Sequence, residues 1–233
     1  MKKIESAQNP TFKMLKSLTS SKGIKKEGLF LAAGQHILKE VEQSGLNFKK
    51  IHFQESTSPD YLLSKDLFQE ISNLNSQEPI CLLTTKDIPK VNLSTEPEGV
   101  EVLLPVGDPK NLGALIRTCQ AFSVKKIILL QESANPFLPD VIKSSSGAIL
   151  TAPLYLGPSI KDLDDPKIYS LDKTGAPIKE CGLQGKSIRL LLGEEGGHIP
   201  QSLSKNFLSI PISNNVESLN VNSCLSIALY ELS

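Results

Sequence analysis

VEVLLPVGDPKNLGALIRTCQAF, residues 100–122, contains the change of rhythm that decides the fold. Its first seven residues, VEVLLPV (100–106), are a short β-rich run with little alternation between apolar and polar positions. A continuous apolar run bounded by turns fits a strand buried on both faces, as in a parallel sheet covered by helices. Turn residues follow in GDPK, and a helical pattern then runs over 111–122. The same kind of run recurs at VKKIILL (124–130), KIYSLD (167–172), IRLLLG (188–193) and FLSIPI (207–212), with a second helical pattern at 138–146. Residues 100–233 therefore read as one α/β domain on a mostly parallel sheet with helices on both faces.

Upstream, NLSTEPEGV (92–100) gathers Ser, Thr, Pro and Gly, the composition of a linker, placed at 94–99. Residues 1–93 read as a smaller α/β unit. It has helical patterns at 11–19, 34–44 and 65–74 and strands at 28–32, 48–53 and 80–84. No repeat or low-complexity tract interrupts the chain.

At 233 residues, 39% hydrophobic and 21% charged, the composition is that of an ordinary globular protein. No apolar stretch approaches the roughly 18–20 residues of a membrane span, and the first ten residues lack an apolar signal core. Cys81, Cys119, Cys181 and Cys224 lie far apart with no CxxC pair, which argues against a metal site and fits reduced thiols in the cytoplasm. Net charge is zero, yet residues 1–50 carry ten lysines against four glutamates, a basic segment able to attract phosphate. Only two of the 25 basic residues are arginines, Arg117 and Arg189, so each raises the question of what its planar fork does that a lysine would not. For Arg189, on a strand entering the sheet, a structural role is expected.

A parallel α/β sheet binds ligands beyond the carboxyl ends of its strands. After 100–106 stand Asn111, Gly113 and Arg117; a helix starting near Asn111 makes that residue its cap and puts Arg117 almost two turns along. After 188–193 comes GEEGGHIP, glycine-rich but neither GxGxxG nor a GK[ST] loop, which weakens dinucleotide and nucleoside-triphosphate readings. After 207–212 come eleven residues, Ser213–Ser223, crowded with Asn and Ser. They run into a helix whose Val221, Cys224, Leu225, Ala228, Leu229 and Leu232 make one apolar stripe. Ser218 or Asn220 is placed to cap that helix, and the surplus of amides and hydroxyls suits a loop that presents polar groups to a ligand.

Together, N-x-G-x-x-x-R (111–117), G-x-E-G (193–196) and I-P-x(6)-S-L-N-V (210–221) resemble the three ordered motifs of the SpoU (TrmH-like) RNA ribose 2′-O-methyltransferases, of the SPOUT class. KSSSGA (143–148) resembles a further helix-turn segment of that family. Residues 5–53, opening on QNPTFKMLKSL, are similar to its N-terminal substrate-binding domain of ribosomal-protein-L30e-like fold.

The resemblance implies a deep C-terminal trefoil knot and S-adenosylmethionine held at Gly193, Ile210 and Leu219. It implies transfer of the methyl group to a ribose 2′-hydroxyl of structured RNA, 23S ribosomal RNA before tRNA, by a homodimer packed through the last helix. Arg117 matches the family's essential arginine. Because guanidinium keeps its proton above pH ~12, it is read as a clamp on the neighbouring phosphate rather than as a base. Asn111, Glu195, Ser218 and Asn220 match the other polar site positions, with Glu195 orienting Arg117 or Asn111. Lys110 and His198 depart from glycines frequent in the family, and Ala33 stands at an acidic position. A tRNA methyltransferase and a non-catalytic RNA-binding relative acting in ribosome assembly are the alternatives.

Overall fold

The computed structural model describes residues 1–72, 77–193, 199–213 and 215–233. They gather into two units, Met1–Asp87 with Asn135–Ile149, and Ile88–Ala134 with Leu150–Ser233.

The first unit runs β1 Lys2–Ile4, α1 Pro10–Ser17, α2 Ser21–Glu27, β2 Leu29–Ala33, α3 Gln35–Ser44, β3 Phe48–His52, β4 Tyr61–Leu63, α4 Lys65–Ser72 and β5 Ile80–Thr84. Its sheet has the order β1-β4-β3-β5-β2, parallel from β1 to β3, with β5 antiparallel to both β3 and β2. Asn9 caps α1 ahead of Pro10, and Ser20 caps α2, accepting from the Gly23 N–H. Gly23 is required by close approach: a Cβ there would stand 2.0 Å from the Ser17 carbonyl oxygen at the end of α1. Ile4, Phe12, Leu15, Leu31, Ile51, Phe68 and Ile80 lie in one buried cluster that joins helices to sheet.

In the second unit, β6 Val100–Leu104, α5 Pro109–Ala121 and β7 Lys126–Leu129 are followed by α6 Pro139–Ser144, which clusters with the first unit. There α6 packs on β2, and the Phe137 ring lies 5.0 Å from Phe30. The second unit resumes with β8 Leu154–Leu156, β9 Ile168–Pro177, β10 Ile188–Leu191, β11 Phe207–Ser209 and α7 Val221–Leu232.

Its six strands are ordered β11-β9-β10-β6-β7-β8, and every pairing is parallel. Leu103, Ile128 and Leu191 face a cluster with Ile160, Leu163 and Leu203, and the alternate residues Val102, Ile127 and Leu190 are equally buried. Burial on both faces explains the unalternating apolar runs. Leu112, Leu115 and Ile116 of α5 and Leu225, Ala228 and Leu229 of α7 are buried, and the two helices pack together. From β6 the chain adds β7 and β8 on one side and later β9, β10 and β11 on the other. The order reverses between β6 and β10, where ligand crevices open in such sheets. Among the described residues, no helix is long and apolar enough to cross a membrane.

Candidate active site

The carboxyl ends of β6 and β10 are neighbours. Leu191 pairs with Leu103, and the Leu192 N–H extends the ladder by donating to the Leu103 carbonyl at 3.2 Å. The chain leaving β6 turns at Gly107 and starts α5 at Pro109, the first helical position, where a missing N–H costs nothing. Asp108, not Asn111, is the cap: its carboxylate accepts from the Asn111 N–H at 2.8 Å. The expected cap at Asn111 is thus corrected, for a physical reason. An Asp-Pro pair satisfies the first turn one step earlier, leaving the half-buried Asn111 side chain outside the capping role. Leu112, Gly113, Leu115, Ile116 and Cys119 form the buried face of α5, and Arg117 lies on its exposed face. Burial pushes the Cys119 thiol far above its ordinary pKa and raises that of Cys224 as well, so neither is a ready thiolate nucleophile.

Gly193 follows β10 and is half-buried. Among the described residues only Ile199 comes within 4 Å of where a Cβ would stand, its Cδ1 at 3.5 Å. Glu195 and His198, both singled out from the sequence, lie outside the described residues.

Beyond β11, Ile210 and Leu219 are half-buried while Ser213, Asn215, Ser218 and Asn220 are exposed. Between them Ile212 and Val216 are exposed as well, so the segment presents both polar and apolar side chains at the surface. Of the two candidate caps for α7, Asn220 holds the role: its side chain accepts from the Asn222 N–H at 2.9 Å. Cys224 adds a weak contact, its thiol 3.7 Å from the Leu219 carbonyl oxygen. The Thr118 hydroxyl donates to the Asn222 side-chain oxygen at 2.7 Å, tying α5, one residue past Arg117, to the first turn of α7. The residues that immediately follow the first and third motifs are thus bonded to each other.

Arg189 does its work at the opposite end of the sheet. It is fully buried beside an equally buried Glu101, with Nε 2.9 Å from that carboxylate. Nη1 donates to Asp165 at 2.7 Å and to the Leu93 carbonyl at 2.8 Å, and Nη2 to the Thr95 carbonyl at 2.6 Å. Lys126 completes the group, 2.6 Å from Glu101. Four acceptors in two directions require a guanidinium; a lysine has one nitrogen. Burial pushes the Glu101 carboxyl up, but hydrogen bonds from Lys126, the Glu98 N–H and Arg189 outweigh it and hold the pKa below the usual carboxylate range. The structural role expected of Arg189 is what the chain shows.

The SpoU rRNA Methylase family matches residues 100–230. A 23S rRNA (guanosine(2553)-2′-O)-methyltransferase of Bacillus subtilis, RlmP, is 30% identical over 250 residues, spanning 100% of this chain and 99% of its own. A protein of Syntrophobacter fumaroxidans named ribosomal RNA small subunit methyltransferase G 2 is also 30% identical, over 98% of this chain, which spans only 48% of that relative's length. The crystal structure of an AdoMet-bound rRNA methyltransferase from Sinorhizobium meliloti has a TM-score of 0.81 at 22% identity, covering 99% of this chain and 97% of its own. The SpoU methyltransferase AviRb from Streptomyces viridochromogenes, in complex with AdoMet, has a TM-score of 0.77 at 18% identity, with 97% of each chain covered. At these identities the solved structures establish the fold.

Proposed function

The chain belongs to the SpoU rRNA Methylase family, and from that premise we propose that it transfers a methyl group from S-adenosylmethionine to a ribose 2′-hydroxyl of 23S ribosomal RNA. The observation that carries this reading is the meeting of the family's motif positions around adjacent strand ends: β6 leads into the helix of Arg117, β10 leads to Gly193, and Thr118 bonds the start of α7. The RNA assignment rests on the full-length likeness to the Bacillus subtilis enzyme, whose name specifies 23S rRNA.

The residues suit the cofactor. Gly193 has no side chain of its own to cover its main chain, Ile210 and Leu219 offer half-buried apolar surface, and the intervening loop supplies amides and hydroxyls for the polar ends. When bound, S-adenosylmethionine supplies an electrophilic sulfonium methyl. The nucleophile belongs to the RNA, so the protein's part is orientation and charge. Its planar guanidinium fork fits a phosphate bidentately, so Arg117 fixes the ribose by clamping the adjacent phosphate. The 2′-hydroxyl proton then leaves to that phosphate or to solvent. Asn111 and Ser218 orient the substrate, Asn220 holds the loop on α7, and Glu195 takes the orienting role its motif position implies.

Residues 1–93, basic over their first half, serve as the RNA-gathering domain in the cytoplasm, joined through 94–99 to the catalytic residues 100–233. The trefoil knot belongs to the same proposal, supported by β10 lying between β9 and β6, both laid down before it, with β11 returning outside β9. So does a homodimer. Ile227 and Tyr230 of α7 are 37% and 72% exposed, and a groove of about 370 Å³ lined by Ile178, Leu183, Gln184 and Tyr230 opens at that end of the helix. The test is incubation of the purified chain with methyl-labelled S-adenosylmethionine and separated 23S rRNA, 16S rRNA and tRNA, followed by mass mapping of the labelled fragment. A 2′-O-methylnucleotide in 23S rRNA is expected. Label in tRNA alone, or on a base, would overturn the assignment, and no label with intact RNA binding would favour an assembly factor.

A further inference from the structure

Thr118 stands directly after Arg117, on the half-buried side of α5, and Asn222 is the second residue of α7. Their hydrogen bond of 2.7 Å joins positions 104 residues apart. It is one link of a series: the Asn222 N–H donates to Asn220, the Cys224 N–H donates to the Asn220 carbonyl at 3.0 Å, and the Ser226 hydroxyl donates to the Asn222 carbonyl at 2.8 Å. The Asn222 side chain is therefore set on a turn already fixed by its own backbone, and its oxygen is aimed at α5. Threonine at 118 matters through its hydroxyl, because valine has the same shape and no donor.

We propose that Thr118 is a positioning residue. Its bond to Asn222 holds the Leu219–Asn220 end of the cofactor loop in register with the helix turn that carries Arg117, so that binding of the methyl donor and placement of the guanidinium are coupled. This rests on the methyltransferase reading above and adds to it two residues outside the family's motif positions. Thr118→Val leaves Asn222 without its donor and lets the loop and Arg117 relax separately. Methyl-donor affinity and turnover then fall together, while the KM for RNA, set chiefly by the RNA-gathering residues 1–93, stays in place.

The experiment compares the wild type, Thr118→Ser, Thr118→Val, Asn222→Ala and the double variant Thr118→Val/Asn222→Ala in the full chain. S-adenosylmethionine affinity is read by calorimetry, and kcat and KM on transcribed 23S rRNA by label transfer. For one net hydrogen bond, Thr118→Val should weaken cofactor binding and lower kcat by about threefold to tenfold each, with KM for RNA unchanged. Thr118→Ser should restore both, and the double variant should be no worse than the worse single one, as for partners in one interaction. Equal behaviour of the Val and Ser variants, or additive losses in the double variant, would overturn the coupling. Should Thr118→Val fail to fold, Asn222→Ala tests the same bond from the other side. A folded wild type that binds no S-adenosylmethionine would overturn the methyltransferase reading and the coupling with it, a result distinct from a binding-competent protein indifferent to Thr118.

Discussion

The chain's two arginines occupy one unit and opposite surroundings. Arg189 is fully buried at the first residues of the central strands, with its donors shared among Glu101, Asp165 and the carbonyls of Leu93 and Thr95. Arg117 lies exposed on the helix that leaves the far end of β6. The same side chain closes a polar layer inside a sheet in one region and, on the proposed function, faces a ligand in the other. The difference teaches that in a lysine-biased chain an arginine marks a geometric demand, and that burial tells which demand it is.

The comparison breaks most readily at the buried end. Arg189→Met should cost about 3–5 kcal/mol of unfolding free energy in urea, because the buried Glu101 loses one of its two cationic partners and the Leu93 and Thr95 carbonyls lose their donors. Methyl transfer per folded molecule should change little. A loss under 1 kcal/mol would show that the layer contributes no more than a surface pair. At the exposed end the pattern inverts. Arg117→Lys should lower label transfer to 23S rRNA by about a hundredfold, the scale of one lost charge-stabilising donor, with the thermal midpoint unmoved. Near-normal turnover would show that the fork is not needed.

Smaller effects sharpen the contrast. Asp108→Ala removes the cap of α5 and should cost about 1 kcal/mol in urea unfolding, with Asp108→Asn recovering most of it. Equal stability of the Ala variant and the wild type would move the helix start back toward Asn111. The pH dependence comes last. Glu101 is held below the usual carboxylate range, so as the medium is acidified the unfolded chain takes up this proton before the folded one does. The stability it contributes is complete above the ordinary glutamate pKa, about 4.3, and is lost as pH falls through the folded value. Urea titrations from neutral to acid pH should show that decline, flattened in Glu101→Gln; an unflattened curve would remove Glu101 as its source.

Much of the second unit was legible because strands buried on both faces write themselves as apolar runs: four of the five expected strands contain an observed one, and the fifth, 167–172, covers the start of β9. β8 escaped notice, since three residues, LYL, carry no period. β9 runs on to Pro177 through polar residues because β11 pairs there after a register shift, and Gly175 admits the close backbone, a Cβ being 2.3 Å from Phe207. In the first unit α2 was hidden as seven residues with three lysines between Ser20 and Gly28. The cap of α5 was written in Asp108-Pro109, yet the pair also reads as a turn. The candidate polar residues stand in the sequence as motifs after strands. That the ends of β6 and β10 are neighbours was not legible, because it depends on β10 inserting beside β6, which local sequence does not record. The Thr118–Asn222 bond lay beyond reach for the same reason.

On the proposed function, the ends of β6, β10 and β11 build one receptor for a methyl donor beside Arg117. Isothermal titration of the full chain with S-adenosylmethionine tests it most directly. The account predicts one saturable site per chain, weakened by Asn220→Ala and retained in Arg117→Lys. Absence of binding in a folded wild-type protein, or equal binding by a variant with residues 213–220 replaced by glycine and serine, would contradict it.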